Sequence, residues 1–525
     1  MTTLEQKRLD LLSKLDAERS QAERNRMGQF GTPSALAGEV MRTALAMLPQ
    51  GERVRFLEPG FGTGSFYSAL LDQVPSKRIE AAEGFEIDPH YGDEAARLWS
   101  GTPLALHQRD YLTTPPPTER ERFNLLISNP PYIRHHHIEA ERKPELQHMA
   151  ALRAGVKLSG LSGLYCYFLA AAHAWMREGG IGVWLIPSEF MDVNYGSELK
   201  RYLLRDVTLL RIHRFDPDEV QFEDALVSSA IVVLKKERPS PQHSVEFTFG
   251  GTLTEPRMRK SLPAAQLMGE AKWTRFPVNG RQEHSRHVLS DFFAIKRGIA
   301  TGGNEFFVLP SDEIDRRQLP RQFFRPIIPG PRWLQQEVIE SDDDGVPLLD
   351  RSLFVLDCSL PEAEVRSRFP TLADYIDEGA QNGYRDRYLC SRRTPWYSQE
   401  QRKAPQFFCT YIGRTNTKSG RPFRFIQNNS SAIAANTYLL LYAKPELQSA
   451  LDAKPALKAE VWRILNDIPL ETLVLGGRVY GGGLHKLEPK ELANVNADNL
   501  AALVHGDSTA RLSARSVAEQ LEMAW

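Results

Sequence analysis

A glycine-rich turn between a strand and a helix constrains this chain more strongly than any other feature of its sequence. The apolar run Val54–Leu57 predicts a β-strand and Phe66–Leu71 predicts a helix, and between them Gly60, Gly62 and Gly64 occupy alternate positions. Alternate glycines let the backbone turn tightly and approach a ligand closely, as at the binding edge of a doubly wound α/β sheet. Taken alone the turn is a weak signal, because many nucleotide-binding proteins share it and a plain tight turn has the same composition.

The first half of the chain alternates apolar runs with helical stretches, which predicts a mostly parallel sheet with helices on both faces. The Pro-, Ser- and charge-rich segment Lys235–Ser244 then predicts a linker. At 525 residues the chain is long enough for two domains, so we expect a solvated helical extension at 1–26, an α/β domain at 27–240 and an α+β domain at 245–525. The predicted strands are Val54–Leu57, Ala82–Ile87, Leu125–Ile127, Ile181–Ile186, Val207–His213 and Ser229–Leu234.

Composition narrows the class of protein without deciding its function. A net charge of -1 argues against a chain that coats nucleic acid over its whole surface, but it allows a local basic cleft. No apolar run reaches the roughly 18 residues that a membrane-spanning helix needs, and the first residues lack the pattern of a signal peptide. The four cysteines lie far apart, so free thiols and a cytoplasmic location are the expectation.

Acidic residues follow the next two predicted strands. Glu86 lies at a strand end, where an acidic side chain about 20 residues after the glycines can accept hydrogen bonds from a ribose diol. A surface carboxylate is an alternative of equal weight. Asp110 follows a third strand and can accept from an adenine amino group, and the adjacent Tyr111 can cover the ring. Each signal is weak alone, but their order is informative because it ends on a distinctive tetrapeptide.

That tetrapeptide, Asn129-Pro130-Pro131-Tyr132, closes the strand at Leu125–Ser128. An exocyclic purine amine is a poor nucleophile, and it becomes a better one when two acceptors draw on its protons. The side-chain oxygen of Asn129 and the carbonyl of Pro130 can be those acceptors, and two prolines stiffen the loop that carries them. Tyr132 offers a face on which a purine can stack. A plain proline turn after a strand is the alternative.

The order of these motifs resembles the gamma-order N6-adenine DNA methyltransferases of type II restriction–modification systems. In that family a class I S-adenosylmethionine-dependent methyltransferase domain, which is Rossmann-like, precedes an α+β target-recognition domain. The resemblance covers residues 27–236 and continues more loosely beyond them. It also rests on Gly28–Pro33, which resembles the family's N-terminal motif, and on Gly163–Phe168, Gly179–Pro187 and Val220–Phe222.

The resemblance implies a role for each matched position. Thr32 would contact the methionine carboxylate of S-adenosylmethionine, Glu86 its ribose and Asp110 its adenine. The full set of implied cofactor residues is Thr32, Glu58, Pro59, Gly60, Gly62, Glu86, Asp110, Tyr111 and Pro131. The implied catalytic residues are Asn129, Pro130, Tyr132 and Phe222. Phe222 would stack on the target adenine, although an ordinary core aromatic is its alternative.

The second half of the chain has the composition of a nucleic-acid-binding surface. Tyr384–Phe425 contains ten Lys or Arg residues against two acids, with aromatic residues between them. Basic side chains can pair with phosphates, and aromatic and Arg side chains can contact bases. A solvated basic face over an aromatic core is the alternative. The predicted DNA-binding residues are Arg392, Arg393, Trp396, Arg414 and Arg421. The Gly-rich segments Lys296–Asn304 and Tyr480–Leu484 resemble elements of recognition domains, or are plain turns.

Together these features predict a site-specific adenine-N6 methyltransferase that acts on double-stranded DNA, with its target base flipped out of the helix. Methylation would protect the site from a cognate restriction endonuclease. We expect that endonuclease to be a separate protein, because no nuclease motif is recognisable in this chain. One chain with both domains predicts a monomer. No metal is expected, since three adjacent histidines at 135–137 cannot all face one tetrahedral ion. The alternatives are an RNA or protein-amide methyltransferase, and a recognition subunit of a larger defence complex.

Overall fold

The computed structural model describes residues 3–216, 229–276, 286–414, 421–480 and 484–505. The chain divides into two units, Met1–Gly280 and Arg281–Val479, with Gly483–Trp525 belonging to the second. Among the described residues, no helix is both long and apolar enough to cross a membrane.

The first unit carries its helices and strands in alternation, as the apolar runs predict. Its described helices are α1 (Thr3–Ala17), α2 (Gln21–Met27), α3 (Ser34–Leu45), α4 (Ser65–Gln73), α5 (Pro89–Leu98), α6 (Arg142–Ala154), α7 (Leu164–Trp175), α8 (Ser197–Arg205) and α9 (Ala264–Met268). Its described strands are β1 (Val54–Pro59), β2 (Ile79–Phe85), β3 (Leu104–His107), β4 (Phe123–Ser128), β5 (Met176–Pro187), β6 (Thr208–Arg214), β7 (Ser229–Lys235), β8 (Ser244–Gly251) and β9 (Pro256–Pro263).

These strands form one sheet in the order β3-β2-β1-β4-β5-β7-β6-β8-β9. Strands β3, β2, β1, β4 and β5 are parallel, whereas β7 runs antiparallel between β5 and β6. This is the doubly wound sheet expected of a class I methyltransferase domain, so the predicted fold class is confirmed. The order reverses between β1 and β4, and in such sheets the crevice at the reversal, outside the carboxyl ends of the strands, is where ligands bind.

Helices cover both faces of the sheet because the central strands are apolar on both sides. All six residues of β4 are buried. Leu57 and Leu126 pack with α7 on one face, whereas Phe56 and Leu125 pack with α3 and α4 on the other. Side chains alternate between the faces of a strand, so a strand buried on both sides is recognised as a continuous apolar run.

The predicted linker at Lys235–Ser244 joins two strands of the same sheet. Strand β8 pairs in parallel with β6, and β9 pairs antiparallel with β8, so the sheet continues to Pro263. The predicted boundary at residue 240 therefore falls inside the sheet. Surface turns and interdomain linkers share the same Pro- and Ser-rich composition, which is why the sequence did not distinguish them.

The first residues form helices that are mostly exposed, as their composition predicts, but part of α1 is buried. A capping box starts α2, with Glu23 N donating to Ser20 Oγ and Ser20 N donating to the Glu23 carboxylate. In α1, Glu5, Arg8 and Leu15 are buried. Two buried charges of opposite sign look the same in a sequence as two solvated ones, so this packing was not predicted.

The second unit is an α+β domain, as the loss of strand–helix alternation predicts. Its described helices are α10 (Leu289–Phe292), α11 (Asn304–Phe307), α12 (Ser311–Arg316), α13 (Glu362–Arg368), α14 (Pro370–Gln381), α15 (Pro445–Ala453), α16 (Leu457–Asn466), α17 (Leu470–Gly476), α18 (Pro489–Ala493) and α19 (Asp498–His505). Its described strands are β10 (Phe293–Arg297), β11 (Val308–Pro310), β12 (Phe324–Ile327), β13 (Val338–Ile339), β14 (Leu353–Leu356), β15 (Phe407–Thr410), β16 (Ile412–Arg414), β17 (Phe425–Asn428), β18 (Tyr438–Ala443), β19 (Arg478–Tyr480) and β20 (Leu484–Lys486). They form one five-stranded sheet, β10-β18-β15-β17-β13, and two three-stranded sheets.

Candidate active site

A cavity of about 260 Å³ opens at the carboxyl ends of the parallel strands in the first unit. It lies beside the reversal of strand order, where a doubly wound sheet binds its ligands. The sequence-predicted residues that line it are Thr32, Glu58, Gly60, Gly62, Glu86, Asp110, Tyr111, Asn129 and Pro131. Residues from five separate segments of the sequence are thus brought together. Pro59, Pro130 and Tyr132 are not part of its lining.

The glycine-rich loop supplies one wall of this cavity as bare backbone. Gly60, Gly62 and Gly64 all have positive φ angles, of 72°, 54° and 83°. A Cβ atom at Gly64 would lie 2.4 Å from the ring of Phe61, so a side chain does not fit there. At Gly62 a Cβ would meet nothing within 4 Å, and the loop presents open space at that point. Left-handed backbone is readily adopted by glycine alone, which explains the alternate spacing.

Glu86 is held at the cavity by main-chain amides. Its carboxylate accepts from Gly62 N at 2.8 Å and from Asp88 N at 2.8 Å. Burial raises the pKa of Glu86 above its usual value, against the effect of those amide hydrogen bonds. A carboxylate has about four acceptor positions, and main-chain amides of Gly62, Ile87 and Asp88 bond this one. Acceptor capacity therefore remains for a hydroxyl group in the cavity.

Glu58 is buried behind the loop and ties it to the following helix. Its carboxylate accepts from Phe66 N at 3.3 Å and Tyr67 N at 2.8 Å, in the first turn of α4. It therefore satisfies two amides that the helix itself leaves without partners. Burial raises the pKa of Glu58 to about 8, although both amides and the nearby Arg8 oppose the rise.

Asp110 and Tyr111 also line the cavity. Asp110 accepts from Leu112 N at 2.9 Å and forms an ion pair with Arg142 of α6. The ring of Tyr111 is buried, 5.5 Å from that of Phe85. Burial raises the pKa of Tyr111 well above its usual value. Its hydroxyl has no partner within the described part of the chain. The ring of Tyr111 is therefore a fixed apolar surface, and Asp110 is an oriented acceptor.

Asn129 is fixed by two acceptors on the segment that precedes α3. Its Nδ2 donates to the Phe30 carbonyl at 3.0 Å and to Thr32 Oγ1 at 3.1 Å. Across the described residues, no hydrogen bond is donated to Asn129 Oδ1 or to the Pro130 carbonyl. Within the described part of the chain, the two oxygens predicted to act as acceptors therefore receive no hydrogen bond.

The tetrapeptide packs directly against the motif at Gly28–Pro33. Tyr132 N donates to the Gly28 carbonyl at 3.1 Å, and Gly28 has a φ of 65°. A Cβ atom at Gly28 would lie 2.4 Å from Tyr132 N, so only glycine allows this approach. The Tyr132 side chain is 7% exposed, its hydroxyl donates to the Leu185 carbonyl, and its ring lies 5.6 Å from that of Phe30. The stacking of Tyr132 on a purine stays a prediction.

Two predicted elements lie outside the described residues. Phe222, with the rest of Val220–Phe222, falls in the gap at 217–228, and Gly481–Gly483 of the segment Tyr480–Leu484 falls in another. Their roles stay predictions.

The predicted DNA-binding residues of the second unit differ widely in exposure. Trp396 is 5% exposed and stacks on Phe306 with ring centroids 5.6 Å apart, so it is a core residue and its predicted DNA contact is corrected. The physical reason is that the aromatic residues of this basic segment form the core beneath it. Arg393 donates to the carbonyls of Ala300 and Thr301, bracing the segment Lys296–Asn304.

The remaining arginines of that set are exposed. Arg392 lies over the ring of Tyr388, with its guanidinium carbon 4.0 Å from the ring centroid. Arg414 is also exposed. So is Arg421, whose Nη1 lies 3.4 Å from the Asn466 carbonyl. The contact of these arginines with DNA stays a prediction.

Sequence reasoning missed several residues of the cavity. Leu12 and Asp16 of α1, Asp88 and Arg142 all line it. Only Asp88 carried a signal, because Asp followed by Pro marks the start of a helix, and Asp88 caps α5 with Pro89 at its first position. The others lie in polar helices whose composition gives no indication of a binding role.

Comparison with known proteins matches both halves of the chain. Residues 76–222 match the family described as Eco57I restriction-modification methylase, and residues 274–523 match the family Type II methyltransferase M.Eco57I, C-terminal domain. The chain is 25% identical over 487 residues to Type II methyltransferase M.AccI of Acinetobacter calcoaceticus, covering 89% of this chain and 85% of that protein. It is 26% identical over 487 residues to Type II methyltransferase M.XamI of Xanthomonas campestris pv. amaranthicola, covering 91% and 86%.

Among solved structures, the Type IIL restriction-modification enzyme MmeI, in complex with DNA, is 12% identical with a TM-score of 0.49. That match covers 85% of this chain but 63% of the MmeI chain, so this chain spans less than two thirds of that neighbour.

Proposed function

We propose that this chain methylates the exocyclic N6 of adenine. It is a site-specific DNA methyltransferase of the type II restriction–modification kind. The methyl donor in this proposal is S-adenosylmethionine, and the target is an adenine flipped out of duplex DNA. The first unit would carry out catalysis, and the second would recognise the DNA sequence. Cleavage would belong to a separate cognate endonuclease, and one copy of the chain would act as a monomer.

The proposal rests on the hydrogen bonding of the Asn129 side chain and the Pro130 carbonyl. The Asn129 amide nitrogen is occupied by Phe30 and Thr32, whereas its oxygen and the Pro130 carbonyl accept nothing among the described residues. Two fixed acceptors without donors suit an amino group that carries two protons. An adenine N6 amino group meets that requirement, and holding its protons increases its nucleophilicity.

The cavity residues fit S-adenosylmethionine by the chemistry of their donors and acceptors. Glu86 retains acceptor positions for the ribose hydroxyls, and Asp110 is an oriented acceptor for the adenine amino group. The bare backbone at Gly62, where a Cβ atom would meet nothing within 4 Å, leaves room for the methionine end. When bound, this cofactor supplies a methyl group on a positively charged sulfur, which is already activated for direct transfer.

The protein's part in the reaction is orientation and stabilisation of charge. Asn129 and Pro130 would hold the N6 amino group of the adenine beside the bound cofactor, which would raise the effective concentration of the reacting pair. Transfer of the methyl group would break its bond to sulfur, release S-adenosylhomocysteine and leave a positive charge on N6, which the two oxygens would stabilise. The surplus N6 proton then leaves to solvent.

DNA contact in this proposal falls to the exposed arginines of the second unit. Arg392, Arg414 and Arg421 are exposed, whereas Trp396 is buried. Basic side chains of this kind pair with phosphates and position the duplex, but base recognition depends on side chains that the composition does not identify.

The test is to incubate the full chain with labelled S-adenosylmethionine and duplex DNA that lacks adenine methylation, and then to map modified bases. We expect N6-methyladenine at one short recurring sequence. An Asn129→Ala variant, assayed in parallel, controls for contaminating methyltransferases. Label on cytosine would contradict the proposed base. Label confined to RNA or protein would contradict the proposed substrate.

A further inference from the structure

The helices α1 and α2 form part of the cavity wall, although sequence reasoning placed them outside the catalytic domain. Leu12 and Asp16 of α1 and Met27 of α2 line the cavity. Asp16 accepts from the hydroxyl of Tyr91, a residue of α5 that also lines it, at 2.8 Å. The helical pair is therefore joined to the side of the cavity where Glu86 lies.

A buried arginine fixes α1 against the glycine-rich loop. Arg8 is 0% exposed and donates to Thr63 Oγ1 at 3.2 Å and to Ser65 Oγ at 3.0 Å. Its remaining donors reach the Glu5 carboxylate and Ser34 Oγ. A buried charge is costly unless it is paired and hydrogen-bonded. The hydrogen bonds of Arg8 therefore indicate that α1 packs stably against the glycine-rich loop.

A second arginine connects the α1–α2 turn to the proposed ribose-binding carboxylate. Arg19 makes two hydrogen bonds to Asp88, at 2.5 Å and 3.1 Å, and Gln29 Nε2 donates to the same carboxylate at 2.8 Å. Asp88 in turn donates its main-chain N–H to Glu86 Oε1 at 2.8 Å. Burial would raise the pKa of Asp88, but hydrogen bonds from Arg19 and Gln29 outweigh it and lower the pKa. Hydrogen bonds therefore connect Arg19 to Glu86 through a single residue, Asp88.

We infer that Arg19 is a positioning residue for the cofactor, and that α1 and α2 close the ribose side of the cavity as a strap. Arg19 acts through Asp88 on the orientation of Glu86, and so on the hydrogen bonds that Glu86 makes to the ribose hydroxyls. This inference rests on the proposed function, because it needs a nucleoside cofactor with its ribose at Glu86.

The test is calorimetric binding of S-adenosylhomocysteine to the full chain and to its Arg19→Gln variant. The matched control is Arg26→Gln, an exposed arginine of α2 that does not line the cavity. We expect Kd to rise about tenfold for Arg19→Gln, the size expected when a charge-assisted hydrogen bond is lost. Arg26→Gln should leave Kd unchanged. Arg19→Lys, which keeps the charge, should recover part of the affinity.

A second ligand separates positioning from a general loss of structure. With 2′-deoxy-S-adenosylhomocysteine, which lacks one ribose hydroxyl, the Arg19→Gln penalty should be clearly smaller than with the parent compound. An equal penalty for both ligands, or a fall in the melting temperature of the ligand-free variant that accounts for the weaker binding, would overturn the inference. So would an unchanged Kd. If the wild-type chain bound neither S-adenosylmethionine nor S-adenosylhomocysteine, the proposed function would fail as well.

Discussion

Asn129 Nδ2 lies 3.1 Å from Thr32 Oγ1, across 97 positions of the sequence. The same nitrogen also donates to the Phe30 carbonyl, and a carbonyl oxygen can only accept. The amide nitrogen must therefore face Phe30 and Thr32, which turns the amide oxygen away from them. The segment before α3 thus determines the orientation of a side chain that follows β4.

Asn129→Ala should lower single-turnover methyl transfer by about 10²–10³-fold, because one of two fixed acceptors of the developing charge is lost. Thr32→Val should cost much less, since the Phe30 carbonyl still orients the amide. Quenched-flow measurement of label transferred to DNA checks both. Near-native transfer by Asn129→Ala, with the fold intact, would show that the proposed mechanism is wrong.

Glu86→Gln should weaken S-adenosylmethionine binding by about tenfold or more, because a charged acceptor of the ribose hydroxyls is replaced by a neutral one. The matched control is Glu83→Gln in β2, the strand that Glu86 follows; the Glu83 carboxylate lies 3.0 Å from His107 Nε2 and does not line the cavity. Equilibrium dialysis with labelled cofactor measures both. If both substitutions weakened cofactor binding equally, Glu86 would not be the residue that binds the ribose.

Glu58 should make the folded state less stable as the pH rises. Burial raises its pKa from 4.5 to about 8 in the folded chain. Between those values the unfolded chain has lost the Glu58 proton and the folded chain has kept it, so the free energy of unfolding falls as pH rises. Glu58→Gln should remove this slope. Urea unfolding of both proteins at pH 5, 6, 7 and 8 measures it, and identical slopes would contradict the prediction.

Arg8→Met should destabilise the first unit by about 3–5 kcal/mol, because Glu5 would be left buried without its ionic partner. The double variant Glu5→Gln/Arg8→Met should recover most of that loss. Burial would raise the pKa of Glu5, but hydrogen bonds from Arg8, Ser34 and Ser68 hold it at about 2. The pair should therefore stabilise the wild type above pH 4.5, and that contribution should disappear as pH falls to about 2. Denaturant unfolding of the wild type, both single variants (Arg8→Met and Glu5→Gln) and the double variant tests this, and additive losses would contradict it.

We expect Trp396→Ala to lower the stability of the fold, and Arg392→Gln to weaken DNA binding. Removing the buried Trp396 should cost about 3–5 kcal/mol of stability, whereas removing the exposed Arg392 should change stability by less than about 0.5 kcal/mol. Arg392→Gln should instead weaken DNA binding and lower the slope of log affinity against log salt by about 1. Fluorescence anisotropy over a salt series measures the slope. An unchanged slope would place Arg392 outside the DNA contact.

The sequence predicted the α/β sheet well because its central strands are buried on both faces. A run such as that around Leu125 is continuous and apolar, so its existence and approximate position follow from composition alone. The glycine-rich turn and the tetrapeptide were located for a different reason. Their residue types are dictated by backbone conformation and by the chemistry that their side chains and carbonyls can perform.

Features that depend on long-range packing were not predictable. The segment after β7 has the composition of a linker, and only its pairing partners show that β8 and β9 continue the sheet. Trp396 could have been a surface or a core residue, since an irregular segment has no periodicity to separate the two. Arg8 lies in a polar helix, and nothing local distinguishes a buried arginine from a solvated one.

The burial of Arg8 also has a consequence for the timing of biosynthesis. Thr63, which receives one of its hydrogen bonds, follows it by 55 residues. At roughly 5–20 residues per second, Arg8 is added to the chain roughly 3–11 s before that partner. During this interval α1 lacks its contacts with the glycine-rich loop, and helices of that length are marginally stable in water. We therefore expect α1 to be one of the last parts of its unit to become ordered.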